Sequence, residues 1–160
     1  MDTLFPNLTK DEEDVLYFAP PWVALLIAGA DDHINSKEIK AGVAFVKGKQ
    51  KPGEESLIGL FYQVVAEKFL TDIMGYKTLL PEDTEKRNKL LIERLEQLND
   101  IFKKIDLEFA KQYYNDLKDL AISVAEASGG VLGLNPVNRK EKKLISLEMI
   151  QEPGLRKEIE

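Results

Sequence analysis

The feature that most constrains the fold is an apolar segment, Trp22 to Ala30, with hydrophobic or small residues on nearly every side. A helix of this kind has no face suited to water, so it must be surrounded by protein or by lipid. The apolar run around it, Tyr17 to Ala30, contains Pro20 and Pro21 and is shorter than the ~20 residues that cross a bilayer. We therefore predict a central buried helix in an all-α protein.

Composition and charge narrow the class of protein. With 160 residues, 44% of them hydrophobic and 31% charged, the chain is typical of one soluble globular domain over residues 1–160. Its core is expected at about 10–151, with frayed termini. The net charge of -6 disfavours nucleic acid as a partner, because phosphate binding needs a basic face. The absence of cysteine excludes disulfides and thiolate sites. An acidic N-terminus without a signal sequence predicts a cytoplasmic location and no membrane span.

Capping residues, helix breakers and apolar periodicity divide the chain into about seven helices. Thr9 is a good N-cap, and the two prolines are expected to end the first helix, so that the second begins at Trp22. Gly75 is the expected end of the fourth helix. These signals place the first four helices at about 10–18, 22–30, 35–48 and 57–74.

The second half of the chain is also helical by pattern. Apolar residues recur at spacings of three and four from Leu91 to Ile105 and again from Ala110 to Ala127, and a last helix is expected over 138–151. Asp106 can restart a helix, but one long helix is equally compatible with the region. No segment alternates as a strand does. The core is predicted to bury Trp22, Leu25, Leu26, Phe61, Val65, Leu117 and Val124 together.

An acidic turn follows the apolar segment and is the main candidate site. It contains Asp31 and Asp32, the only histidine, His33, and the pair Asn35 and Glu38 at the spacing of a helix capping box. An EF-hand is disfavoured, because the positions of its first two oxygen ligands fall on apolar or small residues. Weak divalent cation binding by the carboxylates remains a hypothesis, since a cation or a basic residue would relieve their mutual repulsion.

A partial internal repeat adds a fourth carboxylate. The pattern of Ala28, Ala30, a turn and Glu38 recurs as Ala125, Ala127, a longer turn and Glu141. Helix capping alone explains both copies, because each capping box satisfies helix donors that otherwise lack partners. The functional interpretation is that the two turns bring their carboxylates together. The predicted metal ligands are then Asp31, Asp32, Glu38 and Glu141, with Ca²⁺, Mg²⁺ or Mn²⁺ as the cation.

These motifs carry a family resemblance. The segments LLIAGADDHINSKEI and AEASGGVLGLNPVNRKEKKLI resemble the two turns of the TerB-like family, over about Trp22 to Gln151. In this chain Asp32 takes the place of the family's usual glycine, and His33 follows it. The resemblance implies a compact bundle of about seven helices, linked to tellurite resistance and stress response, with acidic residues that bind metal and no known enzymatic reaction.

Three functions are compatible with the sequence. The first is a TerB-like, non-enzymatic module that binds a divalent cation or a protein partner at the acidic turn, and a homodimer is one possible form of it. The second is a helical adaptor without metal. The third is a metal-assisted hydrolase using the turn carboxylates, which requires an enclosed cleft. No catalytic residue is predicted, because a lone histidine without a nucleophile motif does not define an active site.

Overall fold

A computed structural model describes residues 3–30, 34, 36–50, 55–127 and 143–155, and every structural statement below concerns this part of the chain. Helices are the only regular secondary structure among the described residues, which contain no strand, and this confirms the predicted all-α bundle. None of the described helices has the length and apolar character required to cross a membrane. The helices are α1 (Lys10–Ala28), α2 (Ser36–Lys49), α3 (Leu57–Leu79), α4 (Thr84–Glu96), α5 (Leu98–Ile101) and α6 (Leu107–Glu126), and a 3-10 turn (Phe102–Lys104) precedes α6.

Helix α1 lies at the centre of the bundle and packs against α2, α3, α4 and α6. Its second half is buried without interruption from Ala19 to Ala28, as expected of a helix with apolar residues on every side. The seven residues predicted to form the core, on α1, α3 and α6, are all at most 3% exposed. The prediction of a central buried helix surrounded by amphipathic ones is confirmed.

The predicted break at the two prolines is wrong. Thr9 caps α1 as expected, and Glu12 completes a capping box with it, but the helix continues through Pro20 and Pro21 to Ala28. Proline inside a helix removes the hydrogen bond to the carbonyl four residues back, which is Leu16 for Pro20. The hydroxyl of Tyr113 on α6 donates to that Leu16 oxygen at 2.7 Å, so tertiary structure supplies the missing donor.

The predicted end of α3 at Gly75 is also wrong, because the helix runs on to Leu79. Glycine inside a helix costs only about 1 kcal/mol relative to alanine, which is too little to stop a long helix. The helix ends instead at Leu80, whose backbone is extended (φ -79°, ψ 151°). Leu80 precedes Pro81, and a residue before proline disfavours the helical conformation.

The region between residues 84 and 127 contains separate helices. α4, α5 and the 3-10 turn follow one another closely, and the chain then becomes extended at Ile105 (φ -122°, ψ 170°). Asp106 caps α6 by accepting a hydrogen bond from the backbone N–H of Phe109 at 3.0 Å. Of the two alternatives that the sequence leaves open, a restart at Asp106 and one long helix, the structure shows the restart, without any glycine or proline at the break.

The last predicted helix, 138–151, is described only from residue 143. Residues 143–145 are helical, and a turn follows in which Leu147 has a positive φ of 50°, so the helix does not extend to Gln151. Asn99 on α5 donates to the carbonyl of Met149 and accepts from the N–H of Gln151, which holds this segment in a non-helical path. Leu147 and Ile150 are buried as expected, and Leu144 is partly buried.

Candidate functional site

The structure places one of the four predicted metal ligands. Glu38 lies in the first turn of α2, is only 7% exposed, and already interacts with other groups of the protein. Asp31, Asp32 and Glu141, together with His33 and Asn35, lie outside the described residues. Within the part of the chain that is described, no three histidine, aspartate or glutamate side chains form a group suited to a metal ion.

A buried arginine lies at the point where α1 ends and the acidic turn begins. Arg87, in the first turn of α4, is 5% exposed. Its Nη2 donates to the carbonyl oxygen of Gly29 at 2.8 Å, and its Nη1 donates to that of Glu82 at 3.2 Å. Its Nε is buried without a hydrogen-bond partner among the described residues. The guanidinium therefore joins the start of α4 to the end of α1.

Gly29 is required by this contact. A Cβ at that position would lie 2.9 Å from Nη2 of Arg87 and 2.9 Å from the carbonyl oxygen of Leu25. Because both distances are shorter than carbon contacts allow, only glycine lets the guanidinium approach the helix end. The last turn of α1 has no basic residue of its own, although a cation there interacts favourably with the helix dipole. Arg87 supplies that positive charge from α4. It does so at Gly29, which lies two residues before Asp31 in the sequence.

An apolar groove opens beside the first turn of α2, between α2 and α3. We name it the α2–α3 groove; it has a volume of about 350 Å³. Leu70 and Met74 on α3 are 51% and 55% exposed, and the neighbouring Ile73 is buried. Lys40 on α2 and Lys77 on α3 are its only charged lining residues among those described. The groove is lined by Ile34, Ser36, Ile39, Lys40, Val43, Leu70, Ile73, Met74 and Lys77.

A glycine sets the distance between α2 and the helices beneath it. A Cβ on Gly42 would lie 3.2 Å from Cζ of Phe69 on α3 and 3.5 Å from Cβ of Ala24 on α1. The first distance is tighter than an ordinary contact, so the Phe69 ring occupies the space next to the glycine. Val43 follows Gly42 directly and lines the groove. The close packing at Gly42 therefore fixes one wall of the groove.

The other end of α2 is held by a buried polar cluster. Asp116 on α6 is 5% exposed; its Oδ2 accepts a 2.8 Å hydrogen bond from the Tyr62 hydroxyl, and its Oδ1 lies 3.1 Å from Nζ of Lys49. Burial raises the pKa of Tyr62 well above 10, and the neighbouring Asp116 charge raises it further. Among the described residues, the partners of this carboxylate are the side chains of Tyr62 and Lys49, which indicates a structural role.

Arg87 and the exposed pair on α3 were not identified from sequence. Arg87 occupies the apolar stripe of α4, one turn before Leu91 and two before Leu95, where a charged residue is unexpected. Its place in this stripe could have indicated, from the sequence alone, that the arginine is buried. Leu70 and Met74 are four residues apart on the side of α3 away from Phe61 and Val65, a spacing that puts them on one helix face.

The candidate site is thus the end of the bundle where α1 ends and α2 begins, with a buried arginine at the end of α1 and a buried glutamate and an open apolar groove at the start of α2. Comparison with known proteins does not assign the chain to a family. No protein family model, no curated protein and no solved structure matches the chain.

Proposed function

We propose that the chain is a TerB-like, stress-associated module that acts without catalysis, by binding a protein partner at the α1–α2 end of the bundle. The observation that supports this proposal is the α2–α3 groove. Leu70 and Met74 each leave about half of their surface in water and lie together at the groove, whereas Leu79, the other exposed leucine of α3, is the last residue of the helix and does not line it. Exposed apolar surface bordered by polar groups is typical of protein interaction sites.

The chemistry of the groove suits a protein ligand. Methionine is flexible and polarisable, and it is common on surfaces that adapt to a partner helix. The α2 wall is positioned through Gly42 and through the Lys49–Asp116 pair, so the groove exists before a partner arrives. A preformed surface loses less conformational entropy on binding than one that must first be ordered.

A divalent cation at the acidic turn is the second candidate, favoured by the burial of Glu38. A carboxylate that is 7% exposed in the first turn of α2 is a suitable fixed ligand for a cation. Asp31, Asp32 and Glu141 would contribute the other oxygen ligands. Arg87 makes cation binding less favourable than binding of a protein partner. Its positive charge lies against Gly29, next to the turn in the sequence, and would repel the cation. The hydrolase hypothesis has no supporting group of carboxylates among the described residues.

Site-specific photocrosslinking tests the proposal. A photoreactive amino acid replaces Met74 in the groove, and in a matched variant it replaces Ile122 on α6, which is 40% exposed and lies outside the groove. Both variants are produced in the native host, with and without tellurite or oxidant. We expect a discrete adduct from position 74 that Leu70→Ser removes. No adduct, or the same adducts from both positions, would contradict the proposal.

A further inference from the structure

We propose that the occupant of the α2–α3 groove is an amphipathic helix of another protein, with acidic residues on both sides of its apolar stripe. This inference rests on the proposed function and names the class of partner. It is carried by the shape of the groove and by the sign of its charges.

The walls of the groove match the spacing of a helical ligand. Ile39 and Val43 on α2 are four residues apart, and Leu70, Ile73, Met74 and Lys77 on α3 follow the spacing i, i+3, i+4, i+7. From Leu70 to Lys77 a helix rises roughly 10 Å, or about two turns. A guest helix that presents apolar residues over about two turns fills such a groove with its own i, i+3, i+4 and i+7 positions.

The charges specify the flanks of the guest. Lys40 on the α2 wall and Lys77 on the α3 wall are the charged lining residues, and no acidic side chain among the described residues lines the groove. The chain as a whole carries a net charge of -6, whereas the described lining of the groove carries two lysines and no acidic residue. Complementary charges around an apolar contact select the partner and speed its association.

The same charges disfavour a second copy of this chain as the occupant. In a symmetric dimer formed through this face, each groove would contact the other, because a two-fold interface uses the same patch on both subunits. Lys40 and Lys77 would then face lysines of the copy, with no acidic lining residue among those described to neutralise them. Like charges across an interface oppose association.

Two synthetic helical peptides test this inference against the purified chain. Both have about 18 residues and the same leucine stripe, but one carries glutamate and the other lysine on the flanks. Binding is measured by fluorescence anisotropy at low and at high salt. We expect the glutamate peptide to bind at least about tenfold more tightly than the lysine peptide, and high salt to reduce that difference.

Surface variants locate the binding. Lys40→Glu with Lys77→Glu should reverse the preference, whereas the matched control Lys86→Glu with Lys89→Glu, on the exposed side of α4, changes the net charge equally and should leave it unchanged. Leu70→Ser with Met74→Ser should abolish binding of both peptides. Because all these side chains lie at the surface, helix content by circular dichroism should not change.

Several outcomes would overturn the inference. These are equal binding of both peptides, no binding of either, displacement of the glutamate peptide by palmitate, and Lys40- and Lys77-dependent binding to phosphatidylserine vesicles. A dimer in sedimentation that Leu70→Ser with Met74→Ser dissociates would identify a second copy as the occupant. If the adduct from position 74 forms but the charge preference is absent, only the class of partner is wrong. If the adduct is also absent, the proposed function fails with it.

Discussion

The hydroxyl of Tyr113 and the carbonyl oxygen of Leu16 form a 2.7 Å hydrogen bond between α6 and α1, with Tyr113 completely buried. Leu16 is the acceptor that Pro20 leaves without a backbone donor, since proline has no N–H. The bond therefore stabilises α1 at the position where its own ladder of hydrogen bonds is incomplete. This contact lets a helix that contains two consecutive prolines remain continuous in the centre of the fold.

Tyr113→Phe should lower the free energy of unfolding by about 1–3 kcal/mol, because it leaves the buried Leu16 carbonyl without this donor. Pro20→Ala restores a backbone N–H at the correct position. In the Pro20→Ala background, Tyr113→Phe should therefore cost clearly less, and urea unfolding of the four proteins measures the difference. Equal costs in both backgrounds would show that the tyrosine does not compensate for the proline.

Gly75→Ala should stabilise the protein by roughly 0.5–1 kcal/mol. Gly75 lies inside α3, and a Cβ there would meet nothing within 4 Å, so alanine gains helix propensity without a clash. Thermal unfolding measures the gain. A loss of stability would instead indicate that α3 ends at Gly75, as the sequence alone suggests.

Gly42→Leu should destabilise the protein and alter the groove. A side chain at this position must displace the Phe69 ring, since even its Cβ would lie 3.2 Å from Cζ. Overpacking of this kind typically costs about 1–3 kcal/mol. Gly48→Leu, in the same helix but with nothing within 4 Å of its Cβ, is the matched control and should be close to neutral. Chemical denaturation of both variants makes the comparison, and equal losses would argue against close packing at Gly42.

Stability should fall at alkaline pH because of buried tyrosines. Burial raises the pKa of Tyr62 and of Tyr113 well above 10, whereas in the unfolded chain both ionise near pH 10. Their contribution is therefore complete below pH ~10 and decreases as pH rises beyond it, by roughly 1.4 kcal/mol per pH unit for each buried tyrosine. Urea unfolding at about pH 9 and about pH 11 measures the slope, which Tyr113→Phe should reduce.

Burial also raises the pKa of Tyr17 to about 12. In the folded protein, the absorbance change of tyrosinate formation should therefore include a step near that value for Tyr17. Tyr62 and Tyr113 should ionise only with unfolding. A spectrum in which all five tyrosines ionise together near pH 10 would contradict the buried positions of these side chains.

The cation hypothesis makes its own prediction. If Asp31, Asp32 and Glu38 bind Ca²⁺, Mg²⁺ or Mn²⁺, added cation should raise the melting temperature, because a ligand of the folded state stabilises it by mass action. With few protein oxygens the affinity should be weak, about 10⁻⁴ to 10⁻³ M. Asp31→Asn with Asp32→Asn should remove the shift without loss of the fold. Equal shifts in both proteins would exclude the site.

The helical fold was predictable because it depends on local signals. Thr9 and Asp106 cap their helices through their own side chains. The all-round apolar segment of α1 and the apolar stripes of α3 and α6 identify the core without any tertiary information. The error at Gly75 comes from overestimating what one glycine costs a helix. The other errors occur where tertiary contacts decide the outcome. Nothing near Pro20 in the sequence indicates that Tyr113 supplies a donor, and nothing near Met149 indicates that Asn99 binds the backbone of the segment after the last helix.

The candidate site was predictable only in part. The acidic turn is evident from its charge density, but the groove depends on which faces of α2 and α3 remain uncovered after packing. Arg87 is 58 residues from Gly29 in the sequence, so their contact follows from the arrangement of α1 and α4 and from no local motif.

The central position of α1 also determines when the chain can fold. The ribosome completes α1 about a hundred residues before it completes α6, a delay of roughly 5–20 s at ordinary rates of synthesis. During that time the apolar surface from Ala19 to Ala28 lacks the helix that covers one side of it. The nascent chain is thus most exposed to aggregation before residue 126 emerges, and this is the interval in which a holding chaperone would protect it.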